Sequence, residues 1–285
     1  MSDLTLVQIS DTHLRAGGES LHGVDTAANL ARILDAVRAA EARVDAIVLS
    51  GDLADDGSVA AYRRLRELVA PVAAELDAHP IYVMGNHDER NAFGAELLGI
   101  PSGELDSERP HDQVAEVRGL RVIALDSTTP GRPDGRLEPS QLRWLAAELR
   151  TPAPRGTVLV VHHPPIPSPF ATSEMVKLHE VQPLADVLAG TDVRLILCGH
   201  NHVTRAATLG GIPVWAGPAA AFRIDPMPPP GRFRGFAGSG YTRVDFLGPS
   251  VVTTAVTANE AEPILNRDRR EMVDLLIAAH PDLPH

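Results

Sequence analysis

A layered α/β fold follows from three features of the chain. Short aliphatic runs alternate with segments of helical period, 44% of the 285 residues are hydrophobic, and every aliphatic run is only as long as a strand. The alternation is the βαβ rhythm of a sheet covered by helices, and the apolar share supplies a full core. The run lengths stay well short of the roughly 20 residues that cross a bilayer, so no transmembrane segment is expected.

Taken in order, "LTLVQI" at 4–9 reads as the first strand, and 25–41 ("DTAANLARILDAVRAAE") carries apolar residues at helical spacing behind it. "DAIVLS" at 45–50 is a second strand, 58–76 a second helix and "PIYVM" at 80–84 a third strand. Next come "GLRVIAL" at 119–125, a helix at 139–149 with Pro139 in its first turn, "TVLVV" at 157–161, a helix near 181–189 and "VRLILC" at 193–198. After Gly199 the runs lie at 203–208, 212–216, 241–247 and 250–256, which predicts a second, more antiparallel sheet. Residues 1–256 read as one domain and 257–285 as a C-terminal tail, with an amphipathic helix at 263–280. Two connections, 163–178 and 217–240, exceed ordinary loop length, as functional or disordered loops do.

Lys and Arg number 26 against 37 Asp and Glu, a net charge of −11, which argues against stable nucleic-acid binding or an anionic membrane surface. Any anion the protein handles must be attracted locally. The single cysteine, Cys198, excludes an internal disulfide framework, and the opening "MSDLTLVQIS" has no secretory leader pattern. A soluble, cytoplasmic protein is the expectation, with Cys198 a small buried residue.

The residues that follow the aliphatic runs carry the chemistry. After 4–9 comes Ser10-Asp11-Thr12-His13, after 46–50 Gly51-Asp52, after 81–84 Gly85-Asn86-His87-Asp88, after 157–161 His162-His163, and after 193–198 Gly199-His200-Asn201-His202. In open α/β sheets ligands bind at the carboxyl ends of the strands, so the placement suits one convergent site. Carboxylate, amide and imidazole donors without thiolate fit Mn, Fe, Zn or Co. Asp11, His13, Asp52, Asn86, His162, His200 and His202 are too many donors for one tetrahedral ion, which implies two divalent metals. With one bridging carboxylate, each ion keeps room for a bridging hydroxide and a substrate oxygen. Such a centre carries about +1 and welcomes a monoanionic phosphodiester on an acidic protein. Asn86 then supplies an oxygen without reducing that charge.

This ordered set, Asp11-x-His13, Gly51-Asp52, Gly85-Asn86-His87-Asp88, His162 and Gly199-His200-x-His202, resembles the calcineurin-like metallophosphoesterase superfamily. The flanks "SDTHL", "SGDLADDG", "VMGNHD", "VHHPPIPS" and "GTDVRLILCGHNH" are similar to bacterial class III cyclic-nucleotide phosphodiesterases over roughly residues 4–216. The resemblance implies a four-layer αββα sandwich of two mixed sheets. It implies a bridging Asp52, one ion completed by Asp11, His13 and His202, and the other by Asn86, His162 and His200. Asn86, His87 and His202 would contact a small-molecule phosphodiester such as cAMP, with His87 stabilising the transition state or protonating the leaving alkoxide. A homodimer is also implied.

Weaker assignments surround this core. His163 reads as an outer support or plain loop, and Asp88 as a helix cap or the orienting partner of a neighbouring histidine. Phe170, Phe222, Phe233 and Phe236 on the two long loops could stack a nucleobase or pack a lid. A purple acid phosphatase would need a tyrosine three residues after Asp52, where Asp55 stands. The competing functions are a broad diesterase for 2′,3′-cyclic nucleotides or glycerophosphodiesters, and a metal-free scaffold, whose hallmark would be lost ligands.

Overall fold

Residues 3–18, 20–258 and 268–279 are described in a computed structural model. The chain runs β1 (Leu4–Ile9), α1 (Thr26–Ala39), β2 (Ala46–Ser50), α2 (Val59–Glu75), β3 (His79–Val83) and α3 (Arg90–Leu97). It continues β4 (Gln113–Val117), β5 (Leu120–Leu125), α4 (Pro139–Glu148), β6 (Thr157–Val161), α5 (Ala171–Met175), α6 (Val181–Leu188) and β7 (Val193–Cys198). The last part is β8 (Arg205–Leu209), β9 (Ile212–Ala216), β10 (Phe222–Ile224), β11 (Gly235–Ala237), β12 (Ser239–Leu247), β13 (Ser250–Ala258) and α7 (Arg269–Ala279).

Two mixed sheets result. The first has the order β13-β12-β1-β2-β3, with β1, β2 and β3 parallel and β12 and β13 antiparallel to their neighbours. The second has the order β4-β5-β6-β7-β9-β8, parallel from β5 to β9 with an antiparallel strand at each edge. The strands of the parallel centre are buried on both faces, so their two-residue alternation serves two cores. Leu6, Val48 and Ile81 pack between the sheets against Val122, Val160 and Leu197. Their chain neighbours Val7, Ile47 and Tyr82 face the opposite way, onto Leu30, Leu34, Leu65 and Val69 of α1 and α2. On the far side Ile123, Leu159 and Ile196 meet Leu145, Leu184 and Leu188 of α4 and α6. Four layers, helix, sheet, sheet and helix, follow from these three apolar clusters.

Local signals set the helix starts. The Asp25 carboxylate accepts from the N–H of Ala28 and caps α1, and Glu138 and Gln141 form a capping box around Pro139 at α4. Of the strands after Gly199, only β10 and β11 pair apart from the two main sheets, as a two-stranded hairpin. β8 and β9 extend the second sheet, whereas β12 returns to pair with β1 over Leu4 to Gln8 in the first and carries β13 on its outer edge. The connection at 217–240 holds the β10–β11 hairpin, and that at 163–178 holds α5. The tail helix covers Arg269–Ala279, with Asp268 just before it; 263–267 and 280 of its expected span lie outside the described residues.

Candidate metal centre

The carboxyl ends of β1, β2 and β3 from one sheet and of β6 and β7 from the other meet at one edge of the sandwich. Backbone hydrogen bonds lash the five loops together: Asp11 N to Gly51 O (3.0 Å), His13 N to Asp52 O (2.9 Å) and Gly199 N to His162 O (3.1 Å). Side chains complete the lashing, with the Asp11 carboxylate accepting from His200 N (3.0 Å) and Asp52 Oδ1 from His87 N (2.9 Å). The approach is close enough to require glycine. A Cβ on Gly85 would sit 2.2 Å from the Asp52 nitrogen, and one on Gly199 would sit 1.8 Å from Ser10 Oγ.

Backbone strain concentrates here. Nine non-glycine described residues have positive φ, and five of them are Asp11 (55°), His13 (44°), Asp52 (51°), His200 (79°) and His202 (52°). Each such residue costs on the order of 1–2 kcal/mol, a cost that clusters at functional sites when the surroundings hold it.

Three histidines are aimed by what their other nitrogen does. Nδ1 donates to the Ser50 carbonyl from His162 (2.8 Å), to the Phe222 carbonyl from His202 (2.8 Å) and to the Asp55 carboxylate from His13 (3.1 Å). Every Nε2 therefore turns inward, the orientation that metal-binding histidines receive from their outer partners. Two groups of ligand atoms result, Asp11–His13–His202 and Asp52–His162–His200, each within 4.8 Å. A third group of that size, His13–Asp55–His87, lies on the outer side of His13.

The donor set fits cations. Asn86 Oδ1, His162 Nε2 and both ring nitrogens of His200 are buried without a protein hydrogen-bond partner. The Nε2 atoms of His13 and His202 stand 3.1 Å apart, although each ring spends its Nδ1 proton on an oxygen. Facing lone pairs at that distance need a proton or a cation between them. Electrostatics agree: burial pushes His200 and His202 down to about 4, so both are neutral donors at pH 7. Burial opposes charge on His162 too, but the Asp52 carboxylate outweighs it and raises the imidazole to about 9. Asp52 is correspondingly held well below the ordinary carboxylate range, its own burial being outweighed by His162 and His13.

Other residues take supporting places. His87 is 43% exposed, packs edge-on to His13 at 4.8 Å and donates Nδ1–H to the Asp55 carbonyl (3.1 Å), which leaves its Nε2 free. His163 is buried with Nδ1 at 2.7 Å from Ser127 Oγ and belongs to neither metal group. Asp88 fills neither of its expected roles. Its carboxylate accepts from Leu53 N, Ala54 N, Gly85 N and the Tyr62 hydroxyl, tying the β2 loop to the β3 loop, while Glu89 caps α3. The reason is reach: a carboxylate three residues after Gly85 closes back on that N–H before the helix begins. Sequence reasoning missed Asp55, which holds His13 and is held in turn by Arg15 at 2.7 Å. The His13 hydrogen bond keeps Asp55 down at about 2. Its signal was the acidic pair at 55–56, three residues after Asp52.

Residues 4–204 match the model of the calcineurin-like phosphoesterase family. The chain belongs to this family. Family membership implies a dinuclear metal centre, and two candidate donor groups are present at the strand ends. Among calcineurin-like relatives, a cAMP/cGMP dual specificity phosphodiesterase of Mycobacterium tuberculosis is 45% identical over 255 residues, 89% of this chain and 79% of that protein. The 3′,5′-cyclic adenosine monophosphate phosphodiesterase CpdA of Pseudomonas aeruginosa is 33% identical over 232 residues, 79% of each chain. Among solved structures, a dimetal phosphatase from Danio rerio superposes with TM-score 0.59 at 16% identity over 91% of this chain and 98% of that one. The anchor protein GAP50 of the Plasmodium inner membrane complex superposes equally well, TM-score 0.61 at 13% identity over 93% of this chain and 88% of that one. Those likenesses establish the family's fold, and among the described residues no helix is long and apolar enough to cross a membrane.

Proposed function

We propose that the chain is a metal-dependent phosphodiesterase that hydrolyses 3′,5′-cyclic nucleotides. One observation carries the reading: six donors from four strand ends form two clusters, with buried, unpartnered atoms on His162, His200 and the neighbouring strand-end residue Asn86, on a chain 45% identical to a cyclic-nucleotide phosphodiesterase. All seven of these residues are present, which disfavours a scaffold that has lost its ligands. Asp11, His13 and His202 would hold one ion, Asn86, His162 and His200 the other, with Asp52 between them. The orphaned atoms of Asn86, His162 and His200 support that division. When bound, two ions of Mn, Fe, Zn or Co would supply charge to neutralise the phosphate and an activated water.

The protein's own groups do the rest. Ser50 O, Phe222 O and the Asp55 carboxylate fix three imidazoles in the tautomer that presents Nε2. His87, with Nδ1–H committed to the Asp55 carbonyl, offers Nε2 as its working atom. Doubly protonated, it donates there to a non-bridging phosphate oxygen or to the departing alkoxide. Asn86 adds a neutral oxygen and preserves the positive field at the phosphorus. A cytoplasmic homodimer belongs to the same reading.

A second reading has one observation of its own: the glycerophosphodiester phosphodiesterase GpdQ of Enterobacter lignolyticus is 29% identical over 218 residues. A kcat/KM panel of 3′,5′-cAMP, 2′,3′-cAMP, a glycerophosphodiester and a phosphomonoester decides between them. Preference for 3′,5′-cAMP is expected; a higher kcat/KM on the glycerophosphodiester would replace the first reading by the second.

A further inference from the structure

Between the β10–β11 hairpin, α5 and the loop after β7 lies a cavity of about 480 Å³, within the range of small-molecule sites. His200 and His202 form one side of it, one from each donor group. Away from them the walls are largely apolar, with Val176, Phe222, Ile224 and Phe233. The Phe222 ring stands against His202, centroids 4.4 Å apart, and edge-on to His22 at 5.7 Å. Phe222 thus serves twice, its carbonyl orienting His202 and its ring lining the cavity.

We infer that this cavity is the subsite for the base of a nucleotide substrate, and that the Phe222 ring selects nucleotides over other phosphodiesters by packing against the base. The inference rests on the phosphodiesterase reading and deepens it. A cyclic nucleotide joins an anionic diester to a flat aromatic body through one sugar ring. With the diester at the His200 and His202 end, the base meets apolar walls. A glycerol or ethanolamine group would gain nothing there. Away from the two histidines the polar wall residues are His22, Thr172, Ser173 and Asn201, of which the Asn201 amide oxygen already accepts from Arg205, against a larger apolar wall. The base is therefore held by its faces more than read by its edge, so adenine and guanine should be accepted alike and pyrimidines less well.

The test compares cAMP with a base-free ribose 3′,5′-cyclic phosphate, which keeps the same diester and leaving group. The wild type should favour cAMP by roughly 10- to 100-fold in kcat/KM, the range of one base–aromatic stack. Phe222→Ala keeps the carbonyl that holds His202, so it should shrink the preference for cAMP over the base-free compound toward unity, chiefly through a higher KM for cAMP; Phe222→Tyr should restore the preference. Equal kcat/KM on the two compounds in the wild type, or an equal loss on both in Phe222→Ala, overturns the subsite. Calorimetric binding of adenosine 5′-monophosphate against ribose 5-phosphate separates the two readings. Base-dependent binding without turnover of either cyclic phosphate removes the hydrolase and keeps the subsite, and turnover without base-dependent binding does the reverse.

Discussion

The strand-end loops, through His200 and His202, and the β10–β11 hairpin border the same cavity, but they are built in opposite ways. The loops are buried, cross-bonded and strained, and they hold polar atoms that the protein leaves unpartnered. The hairpin pairs only three residues per strand, and Phe233 and Phe236 are 67% and 41% exposed. A buried amide or imidazole without a partner costs on the order of 1–3 kcal/mol, which a chain retains when a ligand satisfies the group. Exposed aromatic rings on a short hairpin cost little and can be exchanged. Labour is divided between them: loop substitutions should act on metal content and kcat, hairpin substitutions on KM and substrate choice.

The hardest blow to that division would be a loop carboxylate that can be removed without harm. Asp52 Oδ2 lies 3.3 Å from His162 Nε2 and 3.7 Å from His13 Nε2, so this one oxygen stands against an imidazole of each donor group. Asp52→Ala should bind neither ion tightly and lose roughly 10⁴-fold or more in kcat. Elemental analysis showing two ions per chain in that variant would place the bridge elsewhere. Asn86→Ala is the next step down. It removes the orphaned oxygen proposed to complete the ion of His162 and His200, and should cost one ion per chain with a severe fall in kcat, while the other ion stays. Full occupancy with wild-type turnover would strike Asn86 from the centre.

These loops were also the part legible in the sequence. Asp11, His13, Asp52, Asn86, His162, His200 and His202 each follow an aliphatic run, and a run that buries both faces can end only at a sheet edge. Pairing between distant strands was not legible, because nothing local in 239–258 says whether it joins its chain neighbours or β1. The short β10 and β11 have no periodicity to detect. β4 alternates half-buried and exposed residues and lacks a continuous aliphatic run. Asp88 was misread because its partners, Leu53 and Tyr62, are distant in sequence and meet it only in the folded chain.

His87 probes the boundary between the two regions, being a loop residue with a free, partly exposed nitrogen. His87→Ala should keep both ions and a near-normal KM while kcat on cAMP falls by roughly 10² to 10⁴. On bis-p-nitrophenyl phosphate, whose leaving group departs unaided, the fall should be smaller if Nε2 protonates the alkoxide, and equal if it only stabilises charge. Loss of an ion on the same preparation would reduce His87 to a support for the Asn86 loop.

The smallest expected effect asks whether buried acids at this edge are costly in themselves or only where chemistry uses them. Asp112 stands just before β4, and its Oδ1 accepts from Asp126 N (2.9 Å), just after β5, and from Gln141 Nε2 (2.9 Å) on α4, neither of them in a donor group. Burial raises its carboxyl to about 6, those two hydrogen bonds notwithstanding. The folded state thus takes up a proton more readily than the unfolded chain, whose carboxyl titrates near 3.8. Its contribution is fully present below that value and is lost as pH rises through about 6, so at pH 8 the charged form burdens the fold. Asp112→Asn retains the accepting oxygen and removes the charge. At pH 8 it should gain at most about 3 kcal/mol, a rise of a few degrees in Tm. The gain should shrink toward zero by pH 4, and kcat and metal content should stay at wild-type values throughout. Thermal melts at pH 4, 6 and 8 measure this directly. A variant that is less stable at pH 8, or that loses an ion, would mean that Asp112 serves the site as a charge and that the buried acids of this edge act as one unit.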